Sequence, residues 1–98
     1  MNHTANFVAA DLGAASGRVM VGQWNGRTFV LDELHRFPNN GVHVAGGLHW
    51  DILRIWSEIQ DGLTKYRARF VDAPTAIGVD AWGVDFALLD KRGRLVGN

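Results

Sequence analysis

The chain contains no cysteine among its 98 residues, which excludes disulfides and thiolate metal sites and fits a cytoplasmic protein. It has no excess charge of either sign, since ten basic residues balance ten acidic ones. That balance gives no reason to expect nucleic acid or an anionic membrane as partner. No apolar run approaches the roughly 18 residues that a membrane-spanning helix needs. The first residues also lack the basic and apolar segments of a secretory signal. Internal repeats, linkers and low-complexity tracts are absent too, and the length allows one domain at most. What remains is 47% hydrophobic and 20% charged, the composition of a globular protein rather than a disordered one. Four tryptophans are many for this length. Each needs a partner for its N–H, so some are expected to line a site or an interface.

Hydrophobic periodicity predicts three strands, one helix, then further strands. The first strand covers about Phe7–Ala10, the second Arg18–Trp24 and the third Arg27–Phe37. Asn25-Gly26 signals a two-residue hairpin between the last two. Pro38-Asn39-Asn40-Gly41 breaks the pattern, and a glycine-rich loop follows from Val42 to His49. Asp51 can cap a helix that places Ile52, Ile55, Trp56, Ile59, Leu63 and Tyr66 on one face and ends near Phe70. Gly62 is out of place there, since glycine costs about 1 kcal/mol against alanine in a helix. Thr75–Asp80 reads as a buried strand, Ala81-Trp82-Gly83 as a turn and Val84–Leu89 as a strand. After the turn Asp90–Gly93, Arg94–Val96 pairs back. The fourth strand is expected to lie parallel to the first through a right-handed helical crossover. No element covers the last strand before Gly97-Asn98, which leads us to expect the front of a longer protein.

Two turns carry chemistry. Asp11-Leu12-Gly13-Ala14-Ala15-Ser16-Gly17-Arg18 joins the first two strands. Its small residues allow backbone N–H groups to approach an anion, and successive N–H groups form an anion-binding concavity. Asp11 can hold a hydrated Mg²⁺ that bridges to phosphate. The turn is neither a G-x-G-x-x-G fingerprint nor a Walker-type loop, and an acidic, glycine-containing hairpin turn is usually only a turn. The second turn, Asp80-Ala81-Trp82-Gly83-Val84-Asp85, repeats the logic of an acid at a strand end followed by small residues. Ligands of open α/β sheets collect beyond the carboxyl ends of strands. If the first and fourth strands are neighbours, Asp11 and Asp80 share one end of the sheet. Trp82 and Gly83, with Asp80 beside them, would then shape a pocket for a small polar substrate. Solvated strand-end acids and a core Trp82 are the competing reading. His35, His43 and His49 lack metal-ligand spacing and read as surface or loop residues. Ser16 has no evident partners for a nucleophile triad.

The first turn resembles the phosphate loop of the FGGY carbohydrate kinases, within the actin-like and hexokinase-like ATPase superfamily. His35-Arg36-Phe37, Asn39-Asn40-Gly41-Val42, Trp50-Asp51 and Ile77 through Phe86 resemble the branch of that family that acts on L-rhamnulose. So does Gly13-Ala14, where many relatives carry Gly-Thr. The resemblance implies an α/β, ribonuclease-H-like fold. It further implies ATP-dependent phosphorylation of the sugar's 1-hydroxyl with Mg²⁺. Position by position, it implies ATP contacts at Ala14, Ala15, Ser16, Gly17 and Arg18, metal at Asp11 and sugar at Gly83. Ala15 stands where a second serine is common. Residues 1–98 would be the N-terminal part of the first of two domains. The catalytic aspartate and adenine-binding residues of such kinases lie beyond residue 98, so these residues alone are expected to be inactive. Kinases of xylulose, fuculose or glycerol, other ATPases of the superfamily, and a non-enzymatic interaction module are the alternatives.

Overall fold

A computed structural model describes residues 4–98, so residues 1–3 of the expected span lie outside the description. Three long strands come first: β1 (Ala5–Leu12), β2 (Ser16–Trp24) and β3 (Phe29–Pro38). A short hairpin follows, β4 (Val42–Val44) and β5 (Gly47–His49), then helix α1 (Ile52–Arg69). After the helix come β6 (Ala76–Asp80), β7 (Leu88–Leu89) and β8 (Leu95–Gly97). The main sheet has the order β3-β2-β1-β6. β1, β2 and β3 form the expected antiparallel meander. α1 carries the chain across so that β6 runs parallel to β1. The fold is therefore α/β, with one mixed sheet and one helix. No helix among the described residues is long and apolar enough to cross a membrane.

Local chemistry explains most boundaries. The Asn25 side chain accepts from the N–H groups of Arg27 and Thr28 at 2.9 and 2.8 Å. That side-chain turn widens the expected two-residue loop, so β3 starts at Phe29 rather than Arg27. Leu34 is an extra residue in β3, at a register shift opposite Val19 and Met20. Such a bulge re-aims side chains, and Leu34 packs against the core. Asp51 caps α1 by accepting from the Arg54 N–H. Arg67 and Arg69 in the last turn suit the negative end of the helix dipole.

The core lies between α1 and one face of β1, β2 and β3, around Val8, Val19, Val21 and Tyr66. Gly62 is at its centre. A Cβ there would overlap the Val19 side chain, so the helix approaches the sheet closely only because this residue is glycine. Ile55 and Tyr66 are buried as expected, but Trp56 is 57% exposed. The contact line runs through Ile55, Gly62 and Tyr66, and Trp56 sits about 100° around the helix from Ile55.

Three further expectations are corrected. The segment Val42–His49 is a hairpin rather than a loop, turning at Ala45 and Gly46, both with positive φ. Two such residues make the turn that matches strand twist. Alanine is uncommon there, which hid the hairpin in the sequence. The strand expected over Val84–Leu89 is limited to Leu88–Leu89. β6, expected to be buried, is exposed along its whole length. Ile77 and Val79 stand in register with Val8 and Ala10, and hence on the same sheet face. α1, however, lies over β2 and β3 and leaves that part of the sheet bare.

Candidate functional site

The turn between β1 and β2 is a closed loop. The Gly13 N–H donates to the Ser16 carbonyl at 2.9 Å. A Cβ on Gly13 would lie 2.8 Å from that same oxygen, closer than real side chains come, so the closure requires glycine. Gly17 is buried, and an added Cβ there would overlap the Phe37 ring. Packing alone accounts for that second glycine. Asn39 closes the loop from below. Its backbone N–H donates to the Ala15 carbonyl at 3.0 Å, and its side-chain Nδ2 donates to the Gly13 carbonyl at 2.9 Å. Ala14 and Ala15 are exposed, and among the described residues their own N–H groups donate to no protein acceptor. Free adjacent amides flanked by small side chains can receive an anion.

Strand register sets a charged row beside this loop. Asp80 pairs with Asp11 across β6 and β1, Asp11 with Arg18 across β1 and β2, and Arg18 with Arg36 across β2 and β3. Paired residues face the same side of a sheet, so two carboxylates adjoin two guanidiniums. Arg18 Nε is 3.3 Å from Asp11 Oδ2, and this buried nitrogen has no well-aligned acceptor. Arg36 donates to Glu33 Oε1 from Nε at 2.9 Å. That hydrogen bond first, and the Glu33 charge second, raise the Arg36 pKa above its ordinary value. Arg36 also reaches Ser16 Oγ at 3.4 Å. Asp11 and Asp80 thus stand together at the carboxyl ends of neighbouring parallel strands, as expected. Their oxygen atoms are the donor type a hard divalent cation takes.

The second turn is less enclosed. Trp82 is half-buried and stacks on Trp50, with ring centroids 4.2 Å apart and planes 14° from parallel. A cleft of about 170 Å³ joins Trp82, Ala81 and Asp85 to Leu12 and Ile55, which brings Trp82 to the end of β1. A neighbouring cleft of about 250 Å³ runs from Asn40 and His49 past Trp50 to Asp85. Gly83 is exposed, and a Cβ placed on it would meet nothing within 4 Å. Asp85 accepts only from the neighbouring Phe86 N–H among the described hydrogen bonds.

Asn39, Arg36 and Trp50 are the residues that sequence reasoning left out of the site. Asn39 was hidden inside a run of turn residues, and its signal was a second asparagine where one breaker suffices. The tryptophan count hinted at Trp50 without assigning it.

His35 departs from its expected role as a surface residue. It is half-buried between sheet and helix, 2.7 Å from Glu58 Oε2 through Nε2 and 2.7 Å from Lys65 Nζ through Nδ1. An ammonium has only donors, so Nδ1 accepts and Nε2 carries the proton that Glu58 receives. With Asp61 close by, the group has the composition of a metal site, yet its imidazole offers no lone pair toward the carboxylates. It is a clamp between β3 and α1.

Comparison with known proteins gives one consistent likeness. No family model matches the chain. The chain is 45% identical over 91 residues to a rhamnulokinase of Bacteroides thetaiotaomicron. It is 46% identical over 94 residues to a rhamnulokinase of Pectobacterium atrosepticum. The matches take in 93% and 94% of this chain and 19% of each relative. The chain thus spans about a fifth of the length of the curated relatives it matches. Over that stretch the likeness read from its motifs holds.

Proposed function

We propose that this similarity to rhamnulokinases reflects shared function. On this reading the residues form the N-terminal part of a longer cytoplasmic carbohydrate kinase, in the first domain of a ribonuclease-H-like fold. The kinase transfers the γ-phosphoryl group of ATP to the 1-hydroxyl of L-rhamnulose. The observation that carries the reading is the identity of 45–46% across nearly the whole chain. The adjacent exposed amides of Ala14 and Ala15, which donate to no protein acceptor among the described residues, are compatible with it.

In this mechanism the N–H groups of Ala14 and Ala15, with the Ser16 hydroxyl, bind phosphate oxygens. Gly17 lets Phe37 pack beneath the loop and keeps it rigid. Arg18 and Arg36 supply positive charge beside it, where phosphoryl transfer gathers negative charge. Asp11 would hold Mg²⁺ with Asp80 alongside, and both fit it, being exposed enough to share the ion with water. When bound, Mg²⁺ neutralises charge on the phosphates. Trp82 presents an aromatic face to the sugar ring, Asp80 a hydrogen-bond acceptor, and Gly83 a bare backbone that the sugar can approach closely.

The catalytic aspartate that the kinase resemblance implies lies beyond residue 98, and one side of a cleft cannot position both reactants. The 98-residue piece alone is therefore inactive and binds ATP weakly. The test is a ketose and polyol panel on the full-length protein with Mg·ATP, with the product identified by phosphorus NMR. Phosphorylation of L-rhamnulose well above xylulose, fuculose and glycerol is the expected result. Preference for another of these would keep the kinase class and overturn the sugar. Self-association with no nucleotide binding would overturn the kinase class as well.

A further inference from the structure

Asn39 is 4% exposed, the buried polar side chain of the core among the described residues. Burying an amide is costly unless it is hydrogen-bonded. The bonds Asn39 makes are specific. Its Nδ2 takes the Gly13 carbonyl, and its N–H takes the Ala15 carbonyl. In a four-residue turn the first carbonyl ordinarily accepts from the amide three residues on, here that of Ser16. Asn39 occupies that acceptor instead. Both loop carbonyls are thereby committed to Asn39, and among the described residues the amides of Ala14 and Ala15, the central pair of the turn, donate to no protein acceptor.

We infer that Asn39 is a positioning residue for the nucleotide phosphates. It holds the Gly13–Ser16 loop in a fixed conformation that presents these amides to an anion, without touching the anion itself. The inference rests on the kinase reading above. It accounts for a buried asparagine 26 residues from its partner, which the packing of β3 does not require.

Three variants of the full-length protein test it: Asn39→Ser, which keeps a smaller donor, Asn39→Ala, which removes it, and Asn39→Asp, which sets a carboxylate against the Gly13 carbonyl. Two readouts are taken, the KM for Mg·ATP against the KM for the sugar, and the shift in Tm on adding Mg·ATP without sugar. The expected result is a rise of about tenfold or more in KM for Mg·ATP with Asn39→Ala and Asn39→Asp. The sugar KM stays within twofold, Asn39→Ser is intermediate, and the ATP-induced Tm shift shrinks in the same order. A merely structural role would lower Tm and active fraction while moving neither KM selectively, and that outcome overturns the inference. Should one variant fail to fold, Asn39→Ser still reports through the Tm shift. A wild-type protein with an ATP-induced shift that all three variants retain overturns the Asn39 assignment alone. A wild-type protein with no such shift overturns it together with the kinase reading.

Discussion

Two acid-bearing turns end neighbouring strands of one sheet, at Asp11 on β1 and Asp80 on β6, and they are built to different degrees. The first is closed by the Gly13–Ser16 hydrogen bond, tied from below by Asn39, packed through Gly17 on Phe37, and flanked by the Arg18–Asp11 pair. The second has one substantial tie, the stack of Trp82 on Trp50. Around it Val84 is 93% exposed and Phe86 72% exposed. A loop meant to present backbone amides to an anion must be rigid before the ligand arrives, because loose amides would turn back onto protein acceptors. A pocket for a small polar molecule needs walls on several sides, and at this turn Gly83, Val84 and Phe86 stand open to solvent. The first turn is tied on several sides within this stretch of chain, and the second is not.

Five changes to the full-length protein would break or sharpen that contrast. The largest effect is expected from Asp11→Asn, which removes the carboxylate proposed to hold the cation beside the first turn. We expect kcat/KM to fall about 100-fold, equivalent to about 2.7 kcal/mol, with a raised Mg²⁺ requirement in steady-state assays. A loss under threefold would remove Asp11 from the metal site. Gly62→Ala tests the packing beneath. Overpacking against Val19 costs about 1–3 kcal/mol and outweighs the roughly 1 kcal/mol gained in helix propensity. Urea unfolding should therefore show a net loss of up to about 2 kcal/mol. A gain would mean that α1 stands off the sheet.

On the open turn, Gly83→Ala adds a methyl into empty space and should leave Tm unchanged. It should raise the sugar KM about tenfold, the scale on which one carbon discriminates in a pocket. Trp50→Ala, which removes an aromatic pair worth about 0.5–1.5 kcal/mol, should raise the same KM severalfold and abolish the circular-dichroism signal of stacked indoles. An unchanged sugar KM in both would take the second turn out of the site.

The smallest effect belongs to Arg69→Gln, far from either turn. The Arg69 hydrogen bond first, and its charge second, hold the Asp32 pKa below the ordinary 3.8. A lowered carboxyl pKa contributes stability above the ordinary value and loses it as pH falls through the folded value. Wild type and variant should therefore differ slightly at neutral pH and converge in acid. Both groups are exposed, so the difference is small, and a difference that grows in acid would contradict the pairing.

The meander, the helix and the parallel return of β6 were legible because each rests on a local signal. Strand alternation, the Asp51 cap and the helical spacing of Ile55 and Tyr66 all lie within a few residues. The phosphate-loop candidates were legible for the same reason, being eight consecutive residues between two strands. Misreadings arose where a distant partner decides. Whether Trp56 or β6 is covered depends on where α1 lies on the sheet, and the width of the Asn25 turn depends on which amides its side chain captures. Asn39 and Trp50 act on residues far along the chain, so no window of neighbours reveals them.

The order of residues therefore sets, without help, which segments become strands or helix and where acids and glycines punctuate them, because these follow from side-chain periodicity and backbone freedom over a few residues. The hydrogen-bond ladder of the folded sheet decided the rest. One register aligns Asp80, Asp11, Arg18 and Arg36 in a row and brings Asn39 beneath Gly13, and a slip of one residue would send that row to the opposite face.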